Sequence, residues 1–164
     1  MDTPGASGVD LPAVVDDERE MLLAWLAYLR GAVLRKLDGL SDEQARWRPD
    51  GELISLLGIM NHLTHVEWRW IDGGFWGAPV SRREEEFDPG PGLTVAMARA
   101  AYLERAASTE AAARSIPSLE TRAARRSEKG TDLRWVLLHL INEAARHAGH
   151  ADAVREMLDS TRGE

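Results

Sequence analysis

Apolar residues recur at spacings of three and four along most of the chain, and no stretch alternates apolar and polar with a period of two. The pattern predicts an all-α fold of four helices. The first spans about residues 16–37, with Leu22, Leu23, Trp25, Leu26, Leu29, Val33, Leu34 and Leu37 on its buried side and Gly39 placed to cap its end. Ser41 then opens SDEQ, a capping box for one further short turn. The second helix is expected from about Leu53 to Asp72, stopped by the Gly73-Gly74 pair. The third runs from about Leu93 to Ile116, ended by Pro117, and the fourth from Thr131, read as its N-cap, to Leu158.

Between the second and third helices lies FWGAPVSRREEEFDPGPG, residues 75–92, far more chain than a turn between antiparallel neighbours needs. At up to ~3.3 Å per residue it can travel the ~30 Å length of a 20-residue helix, so it reads as a long crossover. The second and third helices would then run parallel, and the four-helix bundle would be ordered up-down-down-up. The acidic run Glu84, Glu85 and Glu86 within it reads as solvated surface.

A chain of 164 residues, 44% of them hydrophobic, suits one domain with its own core. Without a repeat or an internal linker, residues 16–160 read as a single domain behind a flexible tail, residues 1–15. The tail lacks the basic start and apolar run of a signal peptide. The apolar run MLLAWLAYL (21–29) ends at Arg30, short of the roughly 20 residues that span a bilayer, so a cytoplasmic protein without membrane contact is expected. A net charge of -7 argues against nucleic acid as a partner, and TRAARR (121–126) reads as a solvated loop. There is no cysteine, so any thiol chemistry needs a thiol from outside.

The candidate chemistry lies in NEAARHAGHAD, residues 142–152. On a helical wheel His147 falls within about 40° of Val136, Leu140, Ala151, Val154 and Leu158, so it points at the core. Glu143 lies one turn earlier, with His150 and His139 on the same flank. A carboxylate near a core is unfavourable by several kcal/mol unless a cation or a metal pairs with it. The second helix offers NHLTHVEW (61–68), with His62 at the edge of its apolar arc and His65 further round and wetter. Glu143 and His147, four apart on one helix, and His62 from a facing helix can make three corners of a tetrahedron around a divalent ion, with the fourth left open; the alternative is an ordinary side-chain pair and a structural core-edge histidine that need no ion. Trp68, Trp70, Trp76 and Trp135 read as core or interface filling.

WRPDGELISLLGIMNHLTHVEWRW (47–70), and LRWVLLHLINEAARHAGHAD followed by VREMLD, resemble the two signature helices of the DinB-like superfamily. The likeness is to the branch related to mycothiol-dependent maleylpyruvate isomerase and mycothiol S-transferase, and it covers about residues 20–160. It implies a four-helix bundle, a homodimer and a divalent metal held by three side chains. Carried over by position, the ligands are His62, Glu143 and His147. Many relatives have a third histidine where this chain has Glu143, a departure that favours the isomerase-like branch and zinc, with nickel and iron(II) as alternatives. His150 and His139 would then orient Glu143 or a bound water from behind. The resemblance implies an S-transferase or isomerase that uses mycothiol or a similar small thiol against an electrophile, the thiol losing its proton at the open position. A metal-binding bundle without turnover and a metal-dependent hydrolase are the competing readings, and no catalytic residue is assigned beyond the metal site.

Overall fold

The computed structural model of the protein describes residues 10–51, 53–125 and 130–162. Among the described residues are four long helices and no strand: α1 (Glu18–Arg35), α3 (Leu56–Trp68), α4 (Val95–Ser115) and α5 (Leu133–Asp159), with the short α2 (Asp42–Arg46) after α1. They pack as a bundle, as the periodicity predicts. Most of the expected tail, residues 1–9, lies outside the described residues, as does Arg126 of the basic run.

Side-chain caps set where the helices begin, because the first amides of a helix have no partner within it. Asp17 Oδ1 accepts from the Glu20 amide at 2.9 Å, Thr94 Oγ1 from Met97 at 3.1 Å and Ser55 Oγ from Gly58 at 3.0 Å. The SDEQ box forms, with Ser41 Oγ accepting from the Gln44 amide at 3.2 Å and Gln44 Oε1 from the Ser41 amide at 2.9 Å. Ser55 as cap explains why α3 begins three residues later than Leu53, which is left exposed. The N-cap of α5 is Asp132, whose Oδ1 accepts from the Trp135 amide at 2.9 Å. Thr131, expected in that role, is buried, and its carbonyl accepts from the Ala123 amide at 3.0 Å.

The glycine pair does not stop the second helix. After Trp68 the chain widens into a π-helical stretch, Arg69–Phe75, that runs through Gly73 and Gly74. Gly73 is needed there for packing, since a Cβ on it would collide with the side chain of Val80 in the segment that follows. Pro117 does end α4, with Ile116 turned to extended backbone as a residue before proline prefers.

The core is built on Leu23, Leu26 and Val33 of α1, Ile59, Met60 and Leu63 of α3, Tyr102 of α4 and Val136, Leu137, Leu140 and Val154 of α5. Ala144, Ala148 and Ala151 make the middle of the buried face of α5 a strip of small side chains. Trp25, expected inside, is 37% exposed and meets Tyr28 edge-on. Its neighbour Arg30 is 3% exposed, and its guanidinium grips both carboxylate oxygens of buried Glu67 at 2.7 and 2.8 Å and Glu110 at 3.1 Å. No helix among the described residues is long and apolar enough to cross a membrane.

Candidate metal centre

α3 and α5 bring His62, Glu143 and His147 together. Nε2 of His62 lies 3.8 Å from Glu143 Oε2, and Nε2 of His147 lies 3.7 Å from the same oxygen. One donor atom from each residue falls in a group spanning no more than 4.8 Å, so the three could hold a metal ion. A tetrahedral ion at ~2.0–2.1 Å from its ligands spaces them about 3.4 Å apart, so the two glutamate pairs need to close by a few tenths of an ångström and the widest gap by more than one. His147 sits at the edge of the core, its side chain 16% exposed, because it faces a cavity.

His62 is held on its other nitrogen. Its Nδ1 lies 3.3 Å from Oε2 of Glu86, and its ring stacks on Phe87 with centroids 4.3 Å apart. Both partners come from the segment between Phe75 and α4, where Glu84–Glu86 forms a 3-10 turn. Glu86 was expected in solvent with its two neighbours; it is 2% exposed, because its other oxygen receives the Arg69 guanidinium and the Arg83 amide. Burial works to raise its carboxyl, but the hydrogen bonds from Arg69 and Arg83 outweigh that and hold it below the usual range. With an ionised acceptor at Nδ1, His62 is fixed in the tautomer that leaves Nε2 free to bind a metal.

The imidazoles are kept neutral, as ligands must be. Burial pushes His147 down to about 4, with repulsion from His62 adding to it. Burial likewise lowers His62, against the pull of Glu86, and lowers His139 against the pull of Glu143. His139 Nε2 stands 4.0 Å from Glu143 Oε1, and its ring stacks on Trp135 and tilts against Trp70. These two tryptophans, expected as filling, hold His139 beside the glutamate. His150 lies beyond His147, its ring centroid 6.4 Å away, and among the described residues it makes no hydrogen bond or ion pair with Glu143. His65 gives Nδ1 to the Asn61 carbonyl at 2.8 Å and takes no part.

The three candidate ligands open onto a cavity of about 800 Å³. Its apolar wall is Val66, Trp70, Val80 and Phe87; its polar wall is Arg69, Arg82, Arg125, Arg146 and His139. Arg125 belongs to the basic run expected to be a solvated loop. Backbone pairing of Ala124 and Arg125 with Phe75 and Gly74, at 3.3 and 3.0 Å, carries it to the cavity rim.

A helical bundle with a histidine-glutamate-histidine group at the base of a cavity defines a candidate metal-dependent protein. A scan against protein families matches residues 21–160 to mycothiol-S-transferase, and the chain belongs to that family. The family implies mycothiol as a reactant. No curated protein matches the chain.

Proposed function

We propose that the protein is a metal-dependent S-transferase that joins mycothiol, or a similar small thiol, to an electrophile, with His62, Glu143 and His147 as the metal ligands. The observation that carries this is the group itself: two neutral imidazoles and a carboxylate, converging on a cavity in a chain of the mycothiol-S-transferase family. The donor set fits a divalent ion, and two nitrogens with one oxygen suit zinc, while nickel and iron(II) accept the same donors. Such an ion supplies a lowered thiol pKa at neutral pH. The protein's own part is to orient the donors through Glu86 and to hold the electrophile beside the sulfur in the cavity. The sulfur forms a bond to the electrophilic carbon, the leaving group departs with its electron pair, and the thiol proton passes to solvent. Neither His139 nor His150 belongs to the donor group, which supports an open coordination position and hence turnover over a purely structural ion.

We further infer that residues 16–160 form one bundle ordered up-down-down-up. Arg134 of α5 pairs with Glu18 at the start of α1, and Arg155 donates to the Lys36 carbonyl beyond its end, which supports parallel α1 and α5. Arg114 with Glu20 and Arg99 with Asp38 support an antiparallel α1 and α4. A homodimer through the tryptophan-rich end of α3 completes the proposal, and sedimentation at high concentration tests it.

The test is conjugation of monochlorobimane by the zinc-loaded protein with mycothiol as the thiol. Activity is expected in the wild type and loss of both metal and activity in His62→Ala and His147→Ala. Glu143→Gln is expected to weaken metal binding while leaving the metal-free fold intact, because a neutral amide is easier to bury than an unpaired carboxylate. Wild-type protein that binds no metal, or a His147→Ala variant with full activity, would sink the reading.

A further inference from the structure

The protein is acidic overall, with 27 carboxylate residues against 20 Lys and Arg, yet its cavity inverts that balance. Four arginines, Arg69, Arg82, Arg125 and Arg146, line it, against the single carboxylate of Glu143. One of the four is neutralised, since Arg69 is bound by buried Glu86. Glu143 faces the two imidazoles. For Arg82, Arg125 and Arg146 no ion pair with a carboxylate exists among the described residues.

Two of these three are positioned without being neutralised. Arg82 lies over the Phe87 ring, 5.1 Å from its centroid, and the same ring stacks on His62, so its charge is one ring away from the candidate metal site. Arg125 spends one nitrogen on the Ala78 carbonyl at 2.9 Å, an uncharged acceptor that orients the guanidinium without neutralising it. Arg146 follows Glu143 and immediately precedes His147 on α5. Three solvent-exposed guanidiniums at the rim of one cavity, none in an ion pair among the described residues, favour anions over cations there, in a molecule whose net charge of -7 disfavours anions elsewhere. Val66, Trp70, Val80 and Phe87, in the same lining, suit an apolar body.

Resting on the S-transferase reading, we infer that one of the two reactants is an organic anion, an apolar body bearing a carboxylate or a similar acidic group, and that Arg82, Arg125 and Arg146 bind its charge. The residues that hold the anion are distinct from the metal ligands, so the two can be separated by substitution.

The test compares binding of phenylacetate and its neutral isostere phenylacetamide to the zinc-loaded protein by calorimetry. The acid is expected to bind about tenfold more tightly, a preference that shrinks to about twofold in the Arg82→Gln/Arg125→Gln/Arg146→Gln variant and partly in each single variant. Equal binding of acid and amide overturns the inference. So does a preference that survives the triple substitution, which would place the anion on the metal alone. Circular dichroism checks that the triple variant remains helical, and the single variants decide the matter if it does not. Turnover then locates the charge: iodoacetate preferred over iodoacetamide, with mycothiol as thiol, places it on the electrophile. N-acetylcysteine preferred over its methyl ester, with iodoacetamide, places it on the thiol. Absence of transfer with every pair counts against the S-transferase reading, and the binding comparison still decides this one.

Discussion

Replacing Glu86 with glutamine tests whether the segment between Phe75 and α4 helps build the candidate metal site. The amide has the size of the carboxylate and still offers one oxygen, but it loses the charge that holds Nδ1 of His62 at 3.3 Å and neutralises Arg69. Two effects then act in the same direction. His62 is released from its tautomer and orientation, and a carboxylate behind a ligating imidazole is typically worth about 10–100-fold in metal affinity, or roughly 1.4–2.7 kcal/mol. Arg69, whose side chain is 17% exposed, also keeps its positive charge at the cavity wall with no carboxylate beside it, which repels an incoming cation. Zinc affinity, measured by competition with a chromophoric chelator, is therefore expected to fall at least tenfold, near the top of that range if both effects add. Glu85→Gln, on the exposed side of the same turn, is the control and is expected to leave affinity unchanged. Nitrogen NMR of the metal-free protein offers a second readout, since His62 should lose its single tautomer in Glu86→Gln. A folded Glu86→Gln protein that binds zinc like the wild type would refute the reasoning.

Three further outcomes are expected. Arg30→Ala leaves Glu67 buried without its partner and should lower unfolding stability by about 3–5 kcal/mol in urea titration, Glu67→Gln should cost less because Glu110 still pairs with Arg30, and Arg30→Met with Glu67→Leu recovers most of the loss; an Arg30→Ala variant costing less than about 1 kcal/mol would contradict the buried pair. In the metal-free protein His147 is depressed from 6.5 to about 4, so between those pH values the unfolded chain binds a proton the folded one refuses. Stability should fall as pH drops from 6.5 towards 4, by roughly 3 kcal/mol at most from this group, and the fall should be shallower in His147→Gln melting curves. Gly58→Ala gains about 1 kcal/mol of helix propensity, but its Cβ would run into the Phe87 carbonyl, a backbone atom that cannot rotate away, so a lowered melting temperature is expected and a raised one would count against the packing described.

What was legible in the chain is what periodicity can carry. The buried stripes place the four long helices, and the i, i+4 spacing of Glu143 and His147 on one helix with His62 on a facing one is a periodic statement too. The wheel was weaker on His139 and His150, because it gives angle and not height. Both fall on one flank, yet His139 lies toward the Trp70 end of α3, between Trp70 and Trp135, while His150 lies a turn past His147. Partners with no period were not legible. A run of three glutamates has one average exposure by composition, and nothing in it says that the last one turns inward. Arg30 closes an apolar run, and no spacing in the chain pairs it with Glu67, its partner on another helix.

The connection between the π-helical stretch and α4 is where these unread features meet. Its residues touch α3 at Gly58 and His62 and the π-helical stretch at Arg69 and Gly73. Val80 packs against the bare face of Gly73, Arg82 covers Phe87, Phe87 lies over His62 with its carbonyl against Gly58, and Glu86 joins His62 to Arg69. Glycines at 58 and 73 open the helix surface for that contact, since a Cβ at either would collide with Phe87 or Val80. The helices thus supply the candidate donors, and the segment before α4 supplies the carboxylate that orients one of them, the ring that covers it and an arginine above that ring. Loss of metal affinity without loss of helix is accordingly the signature expected of any change that lifts this segment from α3.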